Sequence, residues 1–582
     1  MRSLKGWWSL PILIVGVVAG VFHFYTSGFG TPSPRILRGI HLFLLLPMVY
    51  LLFPANRKSP KDRPSVPDIF LSIFCAVASL YTMVHSDRLN MRFIGFHDVR
   101  FEEVFLGGVL ALAVIEAIRR SMMFGFLTGI SAEILYIYIL FAAVMTTTGT
   151  GAFLIDFATF AAGWARGGSA KIAVVSSALY GTMSGSTVAN VYATGSFTIP
   201  LMKRSGFSPR ESAAIEAIAG TGGQIMPPVM GAGSFIMAEI TGIPYFQIII
   251  LAIIPALLYY LGVFCMVHLI SIKRGISAIP REDRPTAKTI LWQSYYFIPF
   301  IAVIALLAYG YSPAKAAFHS IWIAVLLSFL NRRTWLTPRK FLDTMSKAMV
   351  NAALIAAILA GSGMIVGTLT RTGVALSFGS MFLQASMGNL LLGMILVFLV
   401  VSVIGTGIPT TASYIIAVTV GAHAMTDLGV PLIAAHLFVF YYAVLSDLTP
   451  PDAVTAFAAA NLSGSEPMAT GLEAFRLGIA GWLVPFAFVY QPALLLNGSA
   501  LSIALSFAVT SVGVVFLAGG VIGYVAGGLS LFQRCLLLAA ACLLVFPSPT
   551  RAILGLMLGL SVFFWSYRQH RVSSPQGPAL TP

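Results

Sequence analysis

Apolar runs long enough to cross a lipid bilayer recur along this chain of 582 residues. A membrane-spanning helix needs about 20 mostly apolar residues, because the hydrocarbon core is about 30 Å thick and each helical residue advances about 1.5 Å. We count about fifteen such segments, some of them broken. Examples are residues 7–24, 36–53, 245–270, 290–308 and 501–518. The sequence therefore predicts an all-α polytopic membrane protein that has no room for a soluble catalytic domain.

Composition and charge point to the same class. Hydrophobic residues make up 58% of the chain and charged residues 9%, whereas soluble domains contain about 25% charged residues. The net charge of +15 could indicate nucleic-acid binding, but the basic residues lie in short loops between apolar runs, at 57–63, 273–284, 332–340 and 568–571. This pattern follows the positive-inside rule. It predicts cytoplasmic loops, a cytoplasmic N-terminus and no nucleic-acid partner.

Two apolar spans are interrupted by Gly, Ser and Thr, and each interruption precedes a Pro-Pro pair. The interruptions are residues 182–187 and 405–411, and the pairs are 227–228 and 450–451. The residue numbers differ by 223 both between Thr187 and Thr410 and between the first pair and the second, and we call this difference the repeat offset. Non-helical backbone is tolerated at bilayer depth only where it is buried in protein or lines a cavity. Matched breaks in two halves therefore predict two re-entrant hairpins in inverted repeats, with a transport site between them.

The runs and breaks divide the chain into blocks. We expect a four-helix membrane block at 1–120, a large block at 126–490 with repeats at 126–270 and 345–490 joined by 271–344, extra spans at 500–567 and a disordered tail at 568–582. The first run follows basic residues, but no small-x-small cleavage pattern follows it, so we expect a retained span. One conflict remains: if the basic residues at 119–120 and 332–340 both lie on the cytoplasmic side, the two halves would be parallel rather than inverted. Either 339–350 is an interfacial helix, or a crossing between 86 and 170 is miscounted.

The breaks supply the candidate binding groups. A broken helix exposes carbonyl oxygens at one end, which suit a small cation together with hydroxyls, and N–H groups at the other, which suit an anion. The candidate substrate and ion site comprises Ser184, Gly185, Ser186, Thr187, Asn190, Gly222, Gly223, Met226, Pro227, Gly405, Thr406, Gly407, Pro409, Thr410, Thr411, Ser446, Asp447, Thr449 and Pro450. The expected sodium ligands are Ser184, Ser186, Gly222, Gly405, Thr410 and Thr449. The alternative is a plain proline kink whose hydroxyls bond to their own helix.

Carboxylates at membrane depth are a second signal, because they are costly there and mark ion or proton pathways. Asp447 and Asp452 bracket the second Pro-Pro pair and could bind a cation or carry a proton, unless they lie in a wet vestibule. Weaker candidates are Glu211, Glu216 and Glu239, whereas His423 and His436 are expected to be packing or interfacial residues rather than metal ligands.

Enzyme signatures are absent from the sequence. It contains no G-x-x-x-x-G-K-[ST] phosphate-binding loop, no H-E-x-x-H and no G-x-S-x-G, and its four cysteines form no C-x-x-C pair. We therefore expect no cofactor other than sodium ions or protons as coupling ions, and transport driven by an ion gradient. The rival from another class is a membrane scaffold or a polyisoprenoid-type enzyme, which the matched breaks disfavour.

Several motifs carry a family resemblance. Residues 184–190, 195–204, 434–442, 449–451 and 470–476 resemble the fused permease of tripartite ATP-independent periplasmic (TRAP) transporters, in the TAXI branch. The resemblance covers roughly residues 1–490. It implies a four-helix small subunit fused to a twelve-helix large subunit, an elevator mechanism and a location in the bacterial inner membrane, in contact with lipid.

The resemblance also implies partners and substrates. A TAXI-type periplasmic binding protein would deliver a small carboxylate, such as an organic acid or an amino acid, and sodium or protons would drive its uptake. Two features depart from the family pattern: the helix that joins the two blocks is missing, and Asp447 and Asp452 stand where uncharged residues are expected. The closest rival is a stand-alone dicarboxylate:cation symporter, which needs no binding protein.

Overall fold

The structure is a computed structural model. It describes residues 2–573 except 3, 5, 31, 33, 56–58, 61, 91–99, 122–131, 351, 353–380, 383, 407 and 547. Gly407 of the predicted site and residues 574–582 of the predicted tail therefore lie outside the described residues. Within them the regular structure is helical, apart from one isolated bridge between Tyr524 and Gly528.

The N-terminal block consists of helices that cover the predicted apolar runs. They are α1 (Leu10–Phe29), α2 (Pro34–Leu52), α3 (Val66–Val84), α4 (Ser86–Asn90) and α5 (Phe101–Ser121). The buried guanidinium of Arg2 pairs with the buried carboxylate of Asp68 and donates to the carbonyls of Tyr50 and Pro60. The N-terminus therefore lies at the same end of the block as the α2–α3 connection.

The first half of the large block begins with a bent helix pair. The helices are α6 (Ala132–Thr147), α7 (Thr150–Ala162), α8 (Gly168–Ser184), α9 (Thr187–Arg204), α10 (Pro209–Gly222), α11 (Gly233–Thr241) and α12 (Tyr245–Lys273). The axes of α6 and α7 differ by 69°. Gly149, at the bend, has a φ of 92°, a left-handed conformation that glycine adopts without steric cost.

A connecting segment and the second half follow. The connecting helices are α13 (Ala287–Gln293), α14 (Ile298–Ala308) and α15 (Pro313–Ser328), and a further helix includes residues 338–350. The second half contains α16 (Leu390–Gly405), α17 (Thr410–Asp427), α18 (Leu432–Leu445), α19 (Val454–Ser463), α20 (Pro467–Leu477) and α21 (Ile479–Tyr490). The C-terminal helices are α22 (Ala500–Ile522), α23 (Leu531–Val545) and α24 (Pro549–Ser573).

Many of these helices have the dimensions and composition of membrane spans. Seven helices in the described part of the chain are long and apolar enough to cross a bilayer, or eight if the bent α6–α7 pair forms one span. Six shorter apolar helices accompany them, α16 among them. The structure thus agrees with a polytopic all-helical membrane protein, and the number of about fifteen spans remains a prediction.

Two consecutive helices recur at a fixed distance along the chain. Helices α9 and α17 both have 18 residues, and α10 and α18 both have 14. The first and last residues of α17 and α18 follow those of α9 and α10 by the repeat offset. The same offset separates the two Pro-Pro pairs. In both pairs the Pro–Pro peptide bond is cis.

The buried apolar side chains form two main clusters. The N-terminal core joins α1, α2, α3 and α5 to α6, α14, α15 and residues 345–352. The hairpin core contains α8 to α10, α12, most of the second half and the three C-terminal helices. Met183, at the first break, and Val229 and Phe235, after the first Pro-Pro pair, belong to the N-terminal core, so this core reaches the first hairpin.

Candidate functional site

Each broken span forms a helix, a short turn and a second helix. Helix α8 ends at Ser184, and Gly185 follows with a φ of 57°. Ser186 then caps α9, because its Oγ accepts a hydrogen bond from the backbone N–H of Ala189 at 3.4 Å. In the second hairpin α16 ends at Gly405, and Pro409 directly precedes α17. The breaks therefore lie where the Gly, Ser and Pro residues predict them.

A buried carboxylate joins the two hairpins. Asp447 lies in a 3₁₀ helix, Ser446–Leu448, that follows α18. Its Oδ2 accepts one hydrogen bond from the hydroxyl of Thr187 and another from the hydroxyl of Thr410, both at 3.0 Å. These threonines are the first residues of α9 and α17. The carboxylate therefore lies at two helix N-termini, where the positive end of the helix dipole favours a negative charge.

The first half has an amide where the second has this carboxylate. Gln224 precedes Asp447 by the repeat offset, and each stands three positions before its Pro-Pro pair. Gln224 is buried, and its Oε1 has no hydrogen-bond partner among the described residues. A Cβ added to Gly231 would lie 3.0 Å from this oxygen. The sequence analysis missed Gln224, although the repeat offset alone could have identified it.

The glycines of the predicted site allow close approach between segments. A Cβ on Gly223 would lie 2.5 Å from the Cα of Gly181, and a Cβ on Gly222 would lie 2.8 Å from the ring of Tyr260. A Cβ on Gly405 would clash with the side chain of Ser446. Gly222, Gly223 and Gly405 thus have a packing role, which is independent of any role for their carbonyls.

Asn190 connects three helices of the first half. Its Nδ2 donates to the carbonyl of Ser177 in α8 at 2.9 Å and to the carbonyl of Gly220 in α10 at 3.2 Å. The side chain is fully buried. Asn190 therefore holds the first hairpin against α10.

Several predicted ligand hydroxyls bond to backbone close to them in sequence. The hydroxyls of Ser184, Thr406, Ser446 and Thr449 donate to the carbonyls of Ser186, Val403, Ala443 and Leu445. This is the local bonding expected of the alternative, proline-kink interpretation. Among the predicted hydroxyls, only those of Thr187 and Thr410 converge on Asp447. The half-exposed members of the set are Ser184, Gly185, Ser186, Met226, Pro227, Thr406, Pro409, Thr411, Thr449 and Pro450.

The other candidate carboxylates differ in their surroundings. Glu211 pairs with Arg274 at 2.6 Å and caps α10, Glu239 is exposed, and Asp452 is half-buried. Glu216 is fully buried and accepts hydrogen bonds from three hydroxyls. The sequence analysis placed Glu216 among the weaker candidates.

The two histidines have different surroundings. His436 is buried, and its Nδ1 lies 2.8 Å from the hydroxyl of Tyr414, whereas His423 is exposed. No group of three or more His, Cys, Asp or Glu side chains suited to a metal ion is present in the described residues. A sodium site would instead have to be built from hydroxyls, carbonyls and Asp447.

Together, the apolar helices, the two broken-helix hairpins and the buried Asp447 between them define a polytopic membrane permease. The comparison with protein families is more specific. The family of the tripartite ATP-independent periplasmic transporter, DctM component, matches residues 69–503, and the chain belongs to this family. Permeases of this family are multi-pass membrane proteins that work with a periplasmic solute-binding protein.

Individual relatives are distant. The chain is 25% identical over 334 residues to the C4-dicarboxylate TRAP transporter large permease protein DctM of Pseudomonas aeruginosa, covering 56% of this chain and 76% of the relative. It is 23% identical over 318 residues to the isethionate TRAP transporter permease protein DctMQ of Oleidesulfovibrio alaskensis, covering 54% and 49%. It is 27% identical over 237 residues to the uncharacterized protein y4mL of Sinorhizobium fredii, covering 40% and 56%. The chain thus spans about half the length of the last two.

Proposed function

We propose that this chain is the permease of a TRAP system that takes up a small organic acid, delivered by a TAXI-type periplasmic binding protein and driven by a sodium or proton gradient. Membership of the DctM family supports uptake with a binding protein. The observation that carries the coupling proposal is the position of Asp447, whose carboxylate accepts hydrogen bonds at the N-termini of both hairpin helices.

The electrostatics of Asp447 supply a reason for coupling. A helix N-terminus attracts an anion by about 0.3–1 kcal/mol, whereas two unit negative charges about 4 Å apart repel by about 4 kcal/mol at an effective dielectric constant of about 20. An ionised Asp447 would therefore exclude a substrate carboxylate from these N-termini. A proton or a sodium ion on Asp447 removes the repulsion, so that cation and substrate bind together.

Movement of the site follows from the two cores. We propose that the hairpin core carries the substrate across the membrane while the N-terminal core stays fixed, as in an elevator. The division of the buried side chains into these two clusters supports this assignment. So does the contact of Met183, Val229 and Phe235 with the N-terminal core, because a sliding interface would pass beside the first break.

The N-terminal helices fit the small-subunit part of a fused permease. Helices α1, α2, α3 and α5 pack together and against α6, the first described helix of the large block. The similarity to a DctMQ permease supports this 4TM/12TM fusion. The recurrence of helix bounds at the repeat offset supports two repeats within the large block.

Reconstituted transport tests the proposal. Purified chain in proteoliposomes would be offered labelled organic acids, with and without periplasmic extract outside, under an imposed sodium or pH gradient. We expect concentrative uptake that requires both extract and one of the gradients, and Asp447→Asn should abolish the gradient dependence. The half-buried Asp452 offers a matched control, because Asp452→Asn removes a carboxylate on the other side of the same Pro-Pro pair.

Other outcomes would change the assignment. Uptake without extract would favour the stand-alone dicarboxylate:cation symporter. Gradient-driven uptake that survives Asp447→Asn would refute the coupling role of Asp447 while leaving the transport function intact.

A further inference from the structure

Glu216 lies in the middle of α10, away from Asp447, and its side chain is fully buried. Its Oε1 accepts hydrogen bonds from Ser177 Oγ at 2.7 Å and Thr194 Oγ1 at 2.5 Å, and its Oε2 accepts one from Thr198 Oγ1. Ser177 belongs to α8, and the two threonines belong to α9. No described Lys or Arg forms an ion pair with this carboxylate. Three neutral hydroxyls are therefore its hydrogen-bond partners in the described structure.

The second half has no carboxylate at the equivalent position. The equivalent residue in α18, at the repeat offset, is Val439, which is also fully buried. A helix of the same length therefore packs in the second half with an apolar side chain at this point. Burial of a charge without a counter-charge destabilises the folded protein, and hydrogen bonds to the charged group offset part of that cost. Such residues inside a membrane domain mark ion or proton pathways.

The hydroxyls around Glu216 can serve both of its protonation states. When the carboxylate is ionised, Thr198 donates to it. When Glu216 is protonated, its O–H can donate a hydrogen bond to Thr198 Oγ1. The Thr198 hydroxyl can then donate to the carbonyl of Thr194, which lies 3.0 Å away. Thr194 has the same choice, since its hydroxyl lies 2.9 Å from the carbonyl of Asn190. Both carboxyl oxygens of Glu216 thus keep a hydrogen-bond partner in either protonation state, without movement of heavy atoms.

The spacing of the oxygens favours a proton over a metal cation. Around a six-coordinate cation of the size of Ca²⁺, with oxygen ligands at about 2.3–2.6 Å, neighbouring ligands lie about 3.3–3.7 Å apart. The oxygens of Ser177 and Thr194 are 2.9 Å apart and both lie within 2.7 Å of Glu216 Oε1. These are hydrogen-bond distances between directly contacting oxygens.

A buried polar stripe on α9 extends from Glu216 towards Asp447. It consists of Thr187, Asn190, Thr194 and Thr198, whose spacings of three and four residues place them on one helix face. Thr187 bonds to Asp447 at one end, and Thr194 and Thr198 bond to Glu216 at the other. The two carboxylates therefore share a helix that binds both of them.

The elements packed against α10 carry several other titratable groups. They are Lys171 and Tyr180 of α8, Tyr192, Lys203 and Arg204 of α9, Tyr245, Tyr259, Tyr260, Cys265, His268 and Lys273 of α12, Glu473 and Arg476 of α20, and Asp447, whereas α19 has none. Lys171 contacts His268. The hydroxyls of Tyr259 and Tyr260 donate to the carbonyls of Ile218 and Ala219. Lys203 donates to the carbonyl of Ser463. Lys171, Lys203, Tyr259 and Tyr260 therefore have hydrogen-bond partners other than Glu216.

We propose that Glu216 is a proton-binding site of the permease, separate from Asp447, which gains and loses a proton during each transport cycle. The role in transport rests on the proposed function, whereas the binding of a proton at Glu216 does not. Two experiments therefore test the two parts.

Infrared difference spectroscopy on the purified full-length chain tests proton binding without transport. The difference spectrum of the wild type between acid and alkaline buffer should contain a carboxylic-acid C=O band that shifts in D₂O. This band should be absent from the difference spectrum of Glu216→Gln. Gln keeps the shape and donates an N–H where the acid donates an O–H. The exposed Glu239 supplies the control, because Glu239→Gln should retain the band, as should Asp447→Asn. A Glu216→Gln spectrum identical to that of the wild type would overturn the proposal.

Transport separates coupling from solute binding. In proteoliposomes, pH-gradient-driven uptake by Glu216→Gln should be at least tenfold lower than that of the wild type. Exchange of internal for external solute should be retained, because exchange needs no proton release. Thr198→Val keeps the carboxyl group and should shift the pH at which uptake is half-maximal. Wild-type gradient-driven uptake in Glu216→Gln would overturn the coupling role. Failure of the wild type itself to transport would count against the proposed function, and the infrared result would still stand.

Discussion

Thr187 and Thr410, which are separated in the sequence by the repeat offset, donate hydrogen bonds to the same oxygen atom, Oδ2 of Asp447. Each threonine begins the helix that follows a break. One carboxylate thereby joins equivalent points of the two halves. Its hydrogen bonds connect the two hairpins, and neither hairpin can leave this arrangement without releasing one hydroxyl.

Removal of the Thr187 hydroxyl and removal of the Thr410 hydroxyl should lower uptake by similar amounts. Thr187→Val and Thr410→Val each delete one hydrogen bond to a charged group, worth about 1.5–3 kcal/mol, with little change in shape. We expect at least about tenfold lower uptake in both, since about 1.4 kcal/mol corresponds to a factor of ten. Uptake assays in proteoliposomes provide the measurement. The control is Thr419→Val in the same helix, outside the candidate site, whose hydroxyl donates to the carbonyl of Ile416. Equal uptake by Thr410→Val and Thr419→Val would contradict the prediction.

The contact between Gly181 and Gly223 should tolerate no side chain. A Cβ on either glycine meets backbone of the other, and overpacking of this kind costs about 1–3 kcal/mol. We expect Gly223→Ala to lower the unfolding temperature of the purified protein in detergent. Gly108→Ala is a matched control, because no atom lies within 4 Å of the added Cβ and the residue is helical. Unchanged unfolding of Gly223→Ala would show that α8 and α10 do not approach so closely.

The second hairpin should respond to Gly405→Ala through Ser446. The added Cβ would clash with the Ser446 side chain and lie 2.8 Å from Ser413 Oγ, which should displace the 3₁₀ helix that carries Asp447. We expect Gly405→Ala to reduce uptake severalfold while the protein still inserts into the membrane. Combination with Ser446→Gly should restore part of the uptake, because it removes the clashing atoms. A double variant as inactive as the single one would contradict this account.

The buried ion pair between Arg2 and Asp68 should be a stability determinant. Loss of Arg2 leaves the buried Asp68 carboxylate without the guanidinium, and removal of one partner of a buried pair costs about 3–5 kcal/mol. Arg2→Gln should therefore lower the unfolding temperature strongly, and the double variant Arg2→Met with Asp68→Leu should recover much of the loss. Arg100 forms an exposed pair with Glu102 at 3.9 Å, so Arg100→Gln should have little effect. Thermal unfolding in detergent measures all three.

The helical class and the positions of the breaks were predictable, because local chemistry decides them. Gly185, Ser186 and Pro409 act through their own backbone conformation and capping, so their effect can be inferred from a short stretch of sequence. The repeat was visible for the same reason, since its marks are prolines and glycines. The number of about fifteen spans rests on length and hydropathy alone and remains a prediction.

The contacts of the site were less predictable, because they depend on residues far apart in sequence. The Thr187–Asp447 hydrogen bond spans 260 residues, and no local pattern distinguishes Thr187 from Ser184 or Thr449, whose hydroxyls bond to nearby backbone. The importance of Glu216 was also hidden. Its three hydroxyl partners come from α8 and α9, which the sequence does not place around it.

The C-terminal helices share the hairpin core, and direct contacts tie them to it. Gln491 donates to the carbonyl of Val545, and Lys273 donates to that of Ile522. The outer faces of α22 and α24 expose large apolar side chains such as Leu501 and Phe564. In the proposed elevator, the C-terminal helices and their exposed apolar surface would therefore move through the bilayer together with the hairpin core. The turnover rate should then depend on membrane viscosity, and cells with stiffer membranes should take up the solute more slowly.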